Sequence, residues 1–194
     1  MNCKGERIAK MKFRDLTAEE IEVRVQSVRQ NGAILLLYKT ARTDMAILDE
    51  TVGAENWQDK FYEVKGVMFC SIGINTNYNN PEATDRWIWK SDAGTESNQD
   101  AEKGNASDAR KRAGFAWGIG RELYTSPFIW IPKEKCNITE KKDKYGNTIY
   151  VCTDRFSIEK IAIENKKIVG ISILNESIKA QEECRKRVFV WKQP

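Results

Sequence analysis

The sequence predicts an α+β protein with a β-β-β-α core, in which an antiparallel sheet packs on a long helix and extra β-hairpins follow at the C-terminal end. Three observations predict this class. Apolar and polar residues alternate from residue 57 onward, which is typical of half-buried strands. A long stretch after residue 100 has helical spacing, and turn residues separate these segments. A chain of 194 residues is long enough for one well-buried core.

Before residue 57 the sequence predicts a helix, a buried strand and a second helix. Thr17 and Glu20 have the spacing of a capping box, so we expect a first helix over residues 18–30. The apolar run at 33–39 is bounded by turn signals and predicts a buried strand. An apolar stripe between residues 40 and 53 predicts the second helix, which ends at a glycine.

The next segments predict the three strands of the core. A hairpin is expected to turn at Lys65-Gly66, and one of its faces carries Met68, Cys70, Ile72 and Ile74. A third strand is expected over residues 86–91. Its alternation places two residues, Trp87 and Trp89, on one side, and the other side carries Arg86, Ile88 and Lys90.

The segment after residue 100 predicts a helix with two different flanks. Ser97 and Asp100 have the spacing of a capping box at its start, and Gly118–Gly120 reads as its C-terminal cap. At about 100° per residue, one flank carries small side chains and a tryptophan that allow close approach to a sheet: Ala106, Ala109, Ala113, Ala116 and Trp117. The other flank carries Lys103, Ser107, Arg110, Lys111 and Gly114.

The second flank has one functional and two structural interpretations. Small residues between cations let a phosphate backbone lie close to a helix, so we interpret Ser107 and Gly114 as the floor of a DNA groove. The first alternative is an ordinary solvated face. The second starts from Gly114, which costs about 1 kcal/mol inside a helix, and is that a strand packs closely against it.

Beyond residue 132 the sequence predicts a β-rich extension. We expect residues 1–132 to form the core and residues 133–194 to extend the same domain. EKKDKYGN predicts the tip of a hairpin, FSIEKIAIENKKIVGISIL predicts two strands, and RVFVW predicts another. Cys136 and Cys152 are expected to face each other across the hairpin, since no further ligands lie near enough in the sequence for a zinc site.

Composition excludes several functional classes. The chain has no histidine, which removes Ser-His-Asp and Cys-His nucleophiles, and no P-loop motif occurs. We therefore expect no enzyme, no catalytic residue, no metal and no cofactor. The five cysteines are an odd number without CxxC spacing, which fits reduced thiols in the cytoplasm. No secretory signal is visible, and no apolar run reaches the ~20 residues of a membrane span.

Three segments between residues 14 and 125 carry a family resemblance in their fixed order: TARTDMAILDETVGAENWQDKF, WIWKSDAGTESN and DAEKGNASDARKRAGFAWGIGRELY. Together they resemble the Rad52-like superfamily of single-strand annealing proteins, especially its phage-borne and DdrA-like branch. The resemblance implies a β-β-β-α core, assembly into homo-oligomeric rings or arcs, and ATP-independent binding and annealing of single-stranded DNA in recombination and repair.

The resemblance also implies a set of DNA-binding residues. Lys103 lies at a basic position of the family's helix, and Lys111 and Arg112 match its paired Lys-Arg, which lines the DNA groove. Arg42 resembles the groove arginine at the start of the preceding helix. Arg110 joins these candidates because it lies on the same flank as Lys111.

The sequence departs from the family at two positions. Phe115 stands where the family has a further arginine, and Ala54 stands where it has an aromatic residue. Both departures leave the expected DNA site less basic or less aromatic. The expected partners are single-stranded DNA, further copies of the chain, and a host or phage single-strand-binding protein or exonuclease; a membrane is not expected.

Alternatives remain open at this stage. Glu63 and Lys65 resemble half of a metal-dependent nuclease site, with Asp44 or Asp49 as the missing acid. An RNA-binding or scaffolding oligomer is another alternative.

Trp87 and Trp89 are candidates for stacking on bases, although alternating tryptophans on a strand are commonly core residues. The net charge of +4 is mild, so the arrangement of the cations matters more than their sum.

Overall fold

The computed structural model describes residues 11–80, 82–94, 101–178 and 186–193, with the backbone alone at 101–103. The chain divides into two compact units. Unit 1 comprises Met1–Arg14 and Ala41–Ile119, and unit 2 comprises Asp15–Thr40 and Gly120–Pro194. The predicted α+β class is confirmed, because antiparallel sheets and α-helices occur together. The division at residue 132 stays a prediction.

The secondary structure of the described residues consists of strands, short 3-10 turns and α-helices. The α-helices are α1 (Ala41–Val52) and α2 (Ala101–Trp117). The strands are β1 (Glu22–Arg29), β2 (Gly32–Tyr38), β3 (Trp57–Val64), β4 (Val67–Asn75), β5 (Trp87–Ala93), β6 (Ile129–Pro132), β7 (Ile138–Lys142), β8 (Thr148–Cys152), β9 (Phe156–Glu164), β10 (Lys167–Asn175) and β11 (Arg187–Lys192). No helix in the described ranges is long and apolar enough to cross a membrane.

The helix expected over residues 18–30 is wrong, because most of this segment is strand β1. The Thr17 N–H does donate to Glu20 Oε2 over 2.8 Å, but the capping pair closes only one 3-10 turn. Valines at alternate positions suit a pleated surface, and β1 pairs with β2 from Glu22–Tyr38 to Arg29–Gly32. Pairing with the next strand of the chain therefore overrides a local capping signal.

The other elements predicted before residue 120 agree with the structure more closely. The strand expected at 33–39 is β2, and the helix expected at 40–53 is α1. The β3–β4 hairpin turns at Lys65 and Gly66, whose φ angles of 52° and 79° fit a type I′ turn. The capping box expected at Ser97 and Asp100 lies outside the described residues.

Helix α2 packs on one face of the β3-β4-β5 sheet, against β4 and β5. Ala109 and Ala113 are fully buried, and the residues of β4 that are buried on this face are Cys70, Ile72 and Ile74. Small side chains let the helix backbone approach the sheet closely, so the predicted alanine flank is used inside unit 1. The Trp117 indole N–H donates to the Ile72 carbonyl over 2.9 Å and fixes the end of the helix over β4.

Two features end helix α2. Gly118 has a φ of 104°, and its N–H donates to the Gly114 carbonyl over 3.1 Å. Lys90 Nζ donates to the Ala116 carbonyl over 3.1 Å and lies 4.5 Å from the Trp117 ring centroid. A cation at the C-terminal carbonyls complements the helix dipole. The predicted cap at Gly118–Gly120 is confirmed.

Gly114 does not form the floor of a groove, because helix α1 occupies the space above it. A Cβ at Gly114 would lie 2.7 Å from Asp44 Oδ1, and Asp44 is fully buried. Glycine is therefore required here by the close approach of an α1 side chain. The groove-floor interpretation is wrong at this position; the close packing of the alternative is found, but the packed element is helix α1 and not a strand.

We expect Gly114→Leu to destabilise unit 1 by about 2 kcal/mol or more, because overpacking at a closed contact outweighs the gain in helix propensity. Chemical denaturation followed by circular dichroism measures the change. Ser107→Ala is the control, since Ser107 is exposed on the same helix and its loss should stay within about 0.5 kcal/mol. Equal stability of the two variants would show that α1 does not close over Gly114.

Unit 2 is built on a six-stranded antiparallel sheet in the order β11-β10-β9-β1-β2-β6. Its largest buried side chains include Leu35, Ile131 and Ile173, which come from three different strands. A separate β7–β8 hairpin carries the lysine-rich segment, and its turn is closed by the Asp143 carboxylate, which accepts from the Asn147 N–H over 2.8 Å. The strands expected beyond residue 132 are thus confirmed as β7 to β11.

Three cysteines are buried and chemically quiet. Burial raises the pKa of Cys70 and of Cys136 to about 12, and it also raises the pKa of Cys152. Cys136 and Cys152 lie next to each other, as expected, since a hydrogen bond between their thiols contributes to both pKa shifts. A thiol with a pKa of about 12 is ionised in only about one molecule in ten thousand at pH 8.

We therefore expect Cys70, Cys136 and Cys152 to resist iodoacetamide at pH 8 in the native protein, because the thiolate is the reactive form. Peptide mass spectrometry after timed labelling measures each site separately. In urea all three thiols regain an ordinary pKa and should react within minutes. Labelling of the native protein as fast as the unfolded protein would contradict the buried environment.

Candidate nucleic-acid interface

The three cations of helix α2 whose side chains the structure describes do not form a bare stripe, because each lies beside an acidic side chain. Arg110 Nη2 lies 2.5 Å from Asp59 Oδ2 on β3, and both side chains are mostly buried. The Arg110 guanidinium also lies 5.2 Å from the Phe61 ring centroid and 3.3 Å from Met45 Sδ. Arg110 therefore joins three elements, β3, α1 and α2, and is held in one orientation.

Arg112 and Lys111 have weaker acidic partners than Arg110. Arg112 Nη2 lies 3.2 Å from Asp92 Oδ1 on β5, with 40% of the arginine side chain exposed. Lys111 Nζ lies 3.4 Å from Asp108 Oδ1, one turn earlier on the same helix. A partly exposed pair such as Arg112–Asp92 contributes little to stability. A phosphate can therefore compete with Asp92 for Arg112 at small cost to the fold, whereas the Lys111 side chain is 19% exposed and is as enclosed as that of Arg110.

Arg42 is the most accessible of the predicted DNA-binding residues whose side chains the structure describes. It lies exposed in the first turn of α1, and the structure gives it no acidic partner among the described residues. Met45, one turn later on the same helix, contacts Arg110. The structure thus brings the Arg42 turn of α1 against the Arg110–Gly114 turn of α2. The side chain of Lys103 lies outside the described residues.

The two faces of the β3-β4-β5 sheet differ in charge. Cross-strand partners share a face, so the register assigns Asp59, Glu63 and Asp92 to the face that carries α2. The opposite face carries no acidic residue on any of its three strands. We call it the aromatic face, and its strand residues are Gln58, Lys60, Tyr62, Val64, Val67, Phe69, Ser71, Gly73, Asn75, Trp87, Trp89, Ser91 and Ala93.

Trp87 and Trp89 lie on the aromatic face and outside the core. Their ring centroids are 6.4 Å apart with 29° between the ring planes, and both side chains are half-buried. Lys60 Nζ lies 4.3 Å from the Trp89 ring centroid. Farther along the face, Tyr62 stacks on Phe69 at 5.6 Å.

A chain of hydroxyl groups crosses the same face. Ser71 Oγ donates to the Tyr62 hydroxyl over 3.4 Å, and Ser71 and Ser91 hydroxyls lie 2.5 Å apart. These hydrogen bonds lower the pKa of Tyr62 below its usual value. All three strands therefore contribute polar groups between the two aromatic pairs.

Sequence reasoning identified the two tryptophans of this face but missed Lys60, Tyr62 and Phe69. The alternation along each strand was visible in the sequence, but the register between β3 and β4 was needed to place these side chains beside Trp89. The two-residue turn at Lys65-Gly66 fixes that register, because it pairs Val64 with Val67 and every later pair follows from it.

The structure does not support the nuclease alternative, because its candidate acids are not brought together. Asp49 Oδ1 accepts from the Trp57 indole N–H over 2.6 Å, whereas Glu63 lies six residues farther along β3, or about 20 Å away. Asp44 is buried against Gly114. Across the part of the chain that the structure describes, no group of three or more cysteine, aspartate or glutamate residues is arranged to hold a metal ion.

Comparison with known proteins gives one match. A family model described as Rad52/22 family double-strand break repair protein matches residues 6–143. No curated protein and no solved structure matches the chain significantly. The matched range includes β3, β4, β5 and both helices, and it covers more than half of the 194 residues. The chain therefore belongs to the Rad52/22 family of double-strand break repair proteins.

Proposed function

We propose that this protein binds single-stranded DNA and anneals complementary strands without ATP, as part of recombination and repair in the cytoplasm. The single observation that carries the proposal is the family match over residues 6–143. The resemblance of the α2 segment further favours the phage-borne, DdrA-like branch. A single-strand-binding protein or an exonuclease that produces single strands is a fitting partner for this activity.

We assign the phosphate contacts to the surface where α1 meets α2. Arg42 is exposed on α1, and Lys103 and Lys111 lie on α2; Arg112 is assigned as a separate phosphate contact at the β5 edge of the sheet, where a phosphate can replace Asp92. Arg110 has a different role in this proposal, because its tight pair with Asp59 orients the surface. Contacts to phosphates are independent of sequence and leave the bases free to test a second strand.

Annealing by this route requires no catalytic group. Release of counterions drives binding when cations neutralise phosphates, and pairing between the exposed bases supplies the remaining free energy. The modest charge of one chain is sufficient if several copies line up their surfaces. Assembly is therefore part of the proposal, in the form of a ring or an arc.

The free edges of the β3-β4-β5 sheet supply a route to assembly. Strand β3 is eight residues long, pairs with β4 without a bulge, and exposes Phe61, Tyr62 and Val64. A long, regular and apolar edge strand is a ready partner for another chain. Pairing β3 of one copy with β5 of the next is head-to-tail, which produces rings when the rotation closes.

We expect Glu63→Pro to dissociate the assembly. In a hairpin with a two-residue turn, Val64 and Val67 exchange hydrogen bonds, so the Glu63 N–H points away from β4 toward the free edge. Proline there removes an edge donor but no bond to β4. Light scattering should show the parent as larger than its 22.3 kDa chain mass and the variant as a monomer.

Glu63→Ala is the matched control, because it removes the same charge and keeps the N–H. It should assemble like the parent. A monomeric parent would rule out the assembly, and a fully assembled Glu63→Pro variant would exclude β3 as the contact.

We expect Lys111→Ala and Arg42→Ala each to weaken binding of single-stranded DNA by about 1 kcal/mol per subunit or more. Each substitution should also reduce the slope of log K against log salt by about 0.7, because one phosphate is no longer neutralised. Fluorescence anisotropy with a labelled oligonucleotide at several salt concentrations measures both quantities.

Lys142→Ala is the control for a lost positive charge, since Lys142 is exposed on β7. It should change neither affinity nor slope. If Lys111→Ala and Arg42→Ala bind and anneal like the parent while remaining assembled, the α1–α2 surface is not the phosphate site.

A further inference from the structure

We propose that the aromatic face of the β3-β4-β5 sheet is a second DNA-contacting surface, on which unpaired bases stack against Trp87 and Trp89. This inference rests on the proposed function and assigns a separate task to a separate surface. The α1–α2 surface takes phosphates, whereas the aromatic face takes bases. The two surfaces lie on opposite sides of one sheet within unit 1.

The position of Trp89 carries the first part of the argument. A Cβ at Gly73 would lie 2.8 Å from each of three fused-ring atoms of Trp89, so the indole lies flat over the glycine backbone. One face of the indole is therefore supported by β4, and the other face points outward. Lys60 Nζ lies 4.3 Å from the ring centroid. A supported indole with one outward face is a platform on which a flat base can stack.

The spacing of the two indoles carries the second part. Their centroids are 6.4 Å apart along one strand. Successive residues on one face of a strand are about 6.6 Å apart, so the two indoles follow the strand repeat and can take two bases of an extended strand in turn. Stacking on aromatic side chains is tolerant of sequence because every base has a flat face.

The charge of the face favours nucleic acid as the occupant. No strand residue of this face is acidic, whereas Asp59, Glu63 and Asp92 all lie on the face that carries α2. Lys60 is exposed and can move from the indole to a phosphate next to a stacked base. Ser91 and Tyr62 are exposed, so their hydroxyl groups can reach the edges of bases.

The face differs from a hydrophobic core in its exposure. Trp87 and Trp89 are half-buried, and Tyr62, Val64 and Val67 are each more than two-fifths exposed. The core positions of the same sheet, Cys70, Ile72 and Ile74, are fully buried beneath α2. Side chains on the aromatic face therefore retain surface for a ligand.

The test compares two oligonucleotides of equal length, one of thymidines and one made entirely of abasic sites. Both present phosphates, but only the first presents bases. The assembled parent protein should bind the thymidine oligomer at least about fivefold more tightly. Trp87→Leu combined with Trp89→Leu should reduce thymidine binding about 5- to 100-fold and leave abasic binding unchanged. Lys60→Gln, which preserves both indoles, should weaken thymidine binding by a smaller factor.

The chain provides a matched control pair away from the face. Lys144 Nζ lies 5.0 Å from the ring centroid of Tyr145, which is 77% exposed on the β7–β8 hairpin. Tyr145→Leu with Lys144→Gln removes a similar aromatic–cation pair and should leave both affinities unchanged. Arg42→Ala should weaken both oligomers equally, because it acts on phosphates.

Each outcome decides the proposal. Equal binding of both oligomers by the parent, or an undiminished thymidine preference in the tryptophan variant, overturns the stacking role and leaves the annealing function intact. No binding of either oligomer by the parent overturns the proposed function and the stacking role together. A folded tryptophan variant that becomes monomeric in light scattering overturns the proposal by identifying the face as a contact between copies.

Discussion

The buried surface of helix α2 consists of alanine and glycine, and this single constraint determines the structure of unit 1. Ala109 and Ala113 let the helix lie directly on β4, and Gly114 lets Asp44 of α1 reach the same helix from another side. A helix held this closely on two sides has few directions left for its long side chains. Arg110 and Arg112 extend to opposite edges of the sheet and meet Asp59 on β3 and Asp92 on β5. The same close packing that orders the arginines therefore also neutralises them.

Because the arginines are neutralised, the two faces of the β3-β4-β5 sheet differ in their chemistry. On the side of α2, acidic and basic groups meet and hold the helix in place, so net charge there is small. None of the strand residues on the aromatic face is acidic, and Lys60 lies among the aromatic rings there. The alternation of side chains along a strand permits this segregation, because successive residues point to opposite faces of the sheet. A protein with a mild total charge can in this way present two chemically different surfaces.

The sequence was informative where a single local signal decides the structure and misleading where strand pairing overrides that signal. The turn at Lys65-Gly66 and the cap at Gly118 follow from the backbone freedom of glycine, so both could be read directly. The capping pair at Thr17 and Glu20 is present in the structure, yet β2 recruits the following residues into a sheet.

The candidate site shows the same limit of sequence reasoning. A helical wheel gathers Lys103, Arg110 and Lys111 on one flank, but it contains no information about what packs there. The acid that neutralises Arg110 is Asp59 on strand β3, which is distant from α2 in the sequence. Only the fold reveals this contact. The separation of Trp87 and Trp89 from Ile88 was predictable, because it needs only the period of a strand.

The arrangement of the two units along the chain imposes an order on biosynthesis. Both helices of unit 1 and its three-stranded sheet are encoded without interruption between Ala41 and Ile119. Unit 2 begins earlier but is completed last, because β2 pairs with β6 and β1 pairs with β9. On the ribosome, both edges of the β1–β2 hairpin stay uncovered while the inserted unit emerges and folds, because β6 and β9 are synthesised later. Contacts between such distant segments form slowly, since a long loop must close first. The hairpin is rich in valine and leucine. Until its partner strands are synthesised it exposes apolar surface and depends on protection from aggregation.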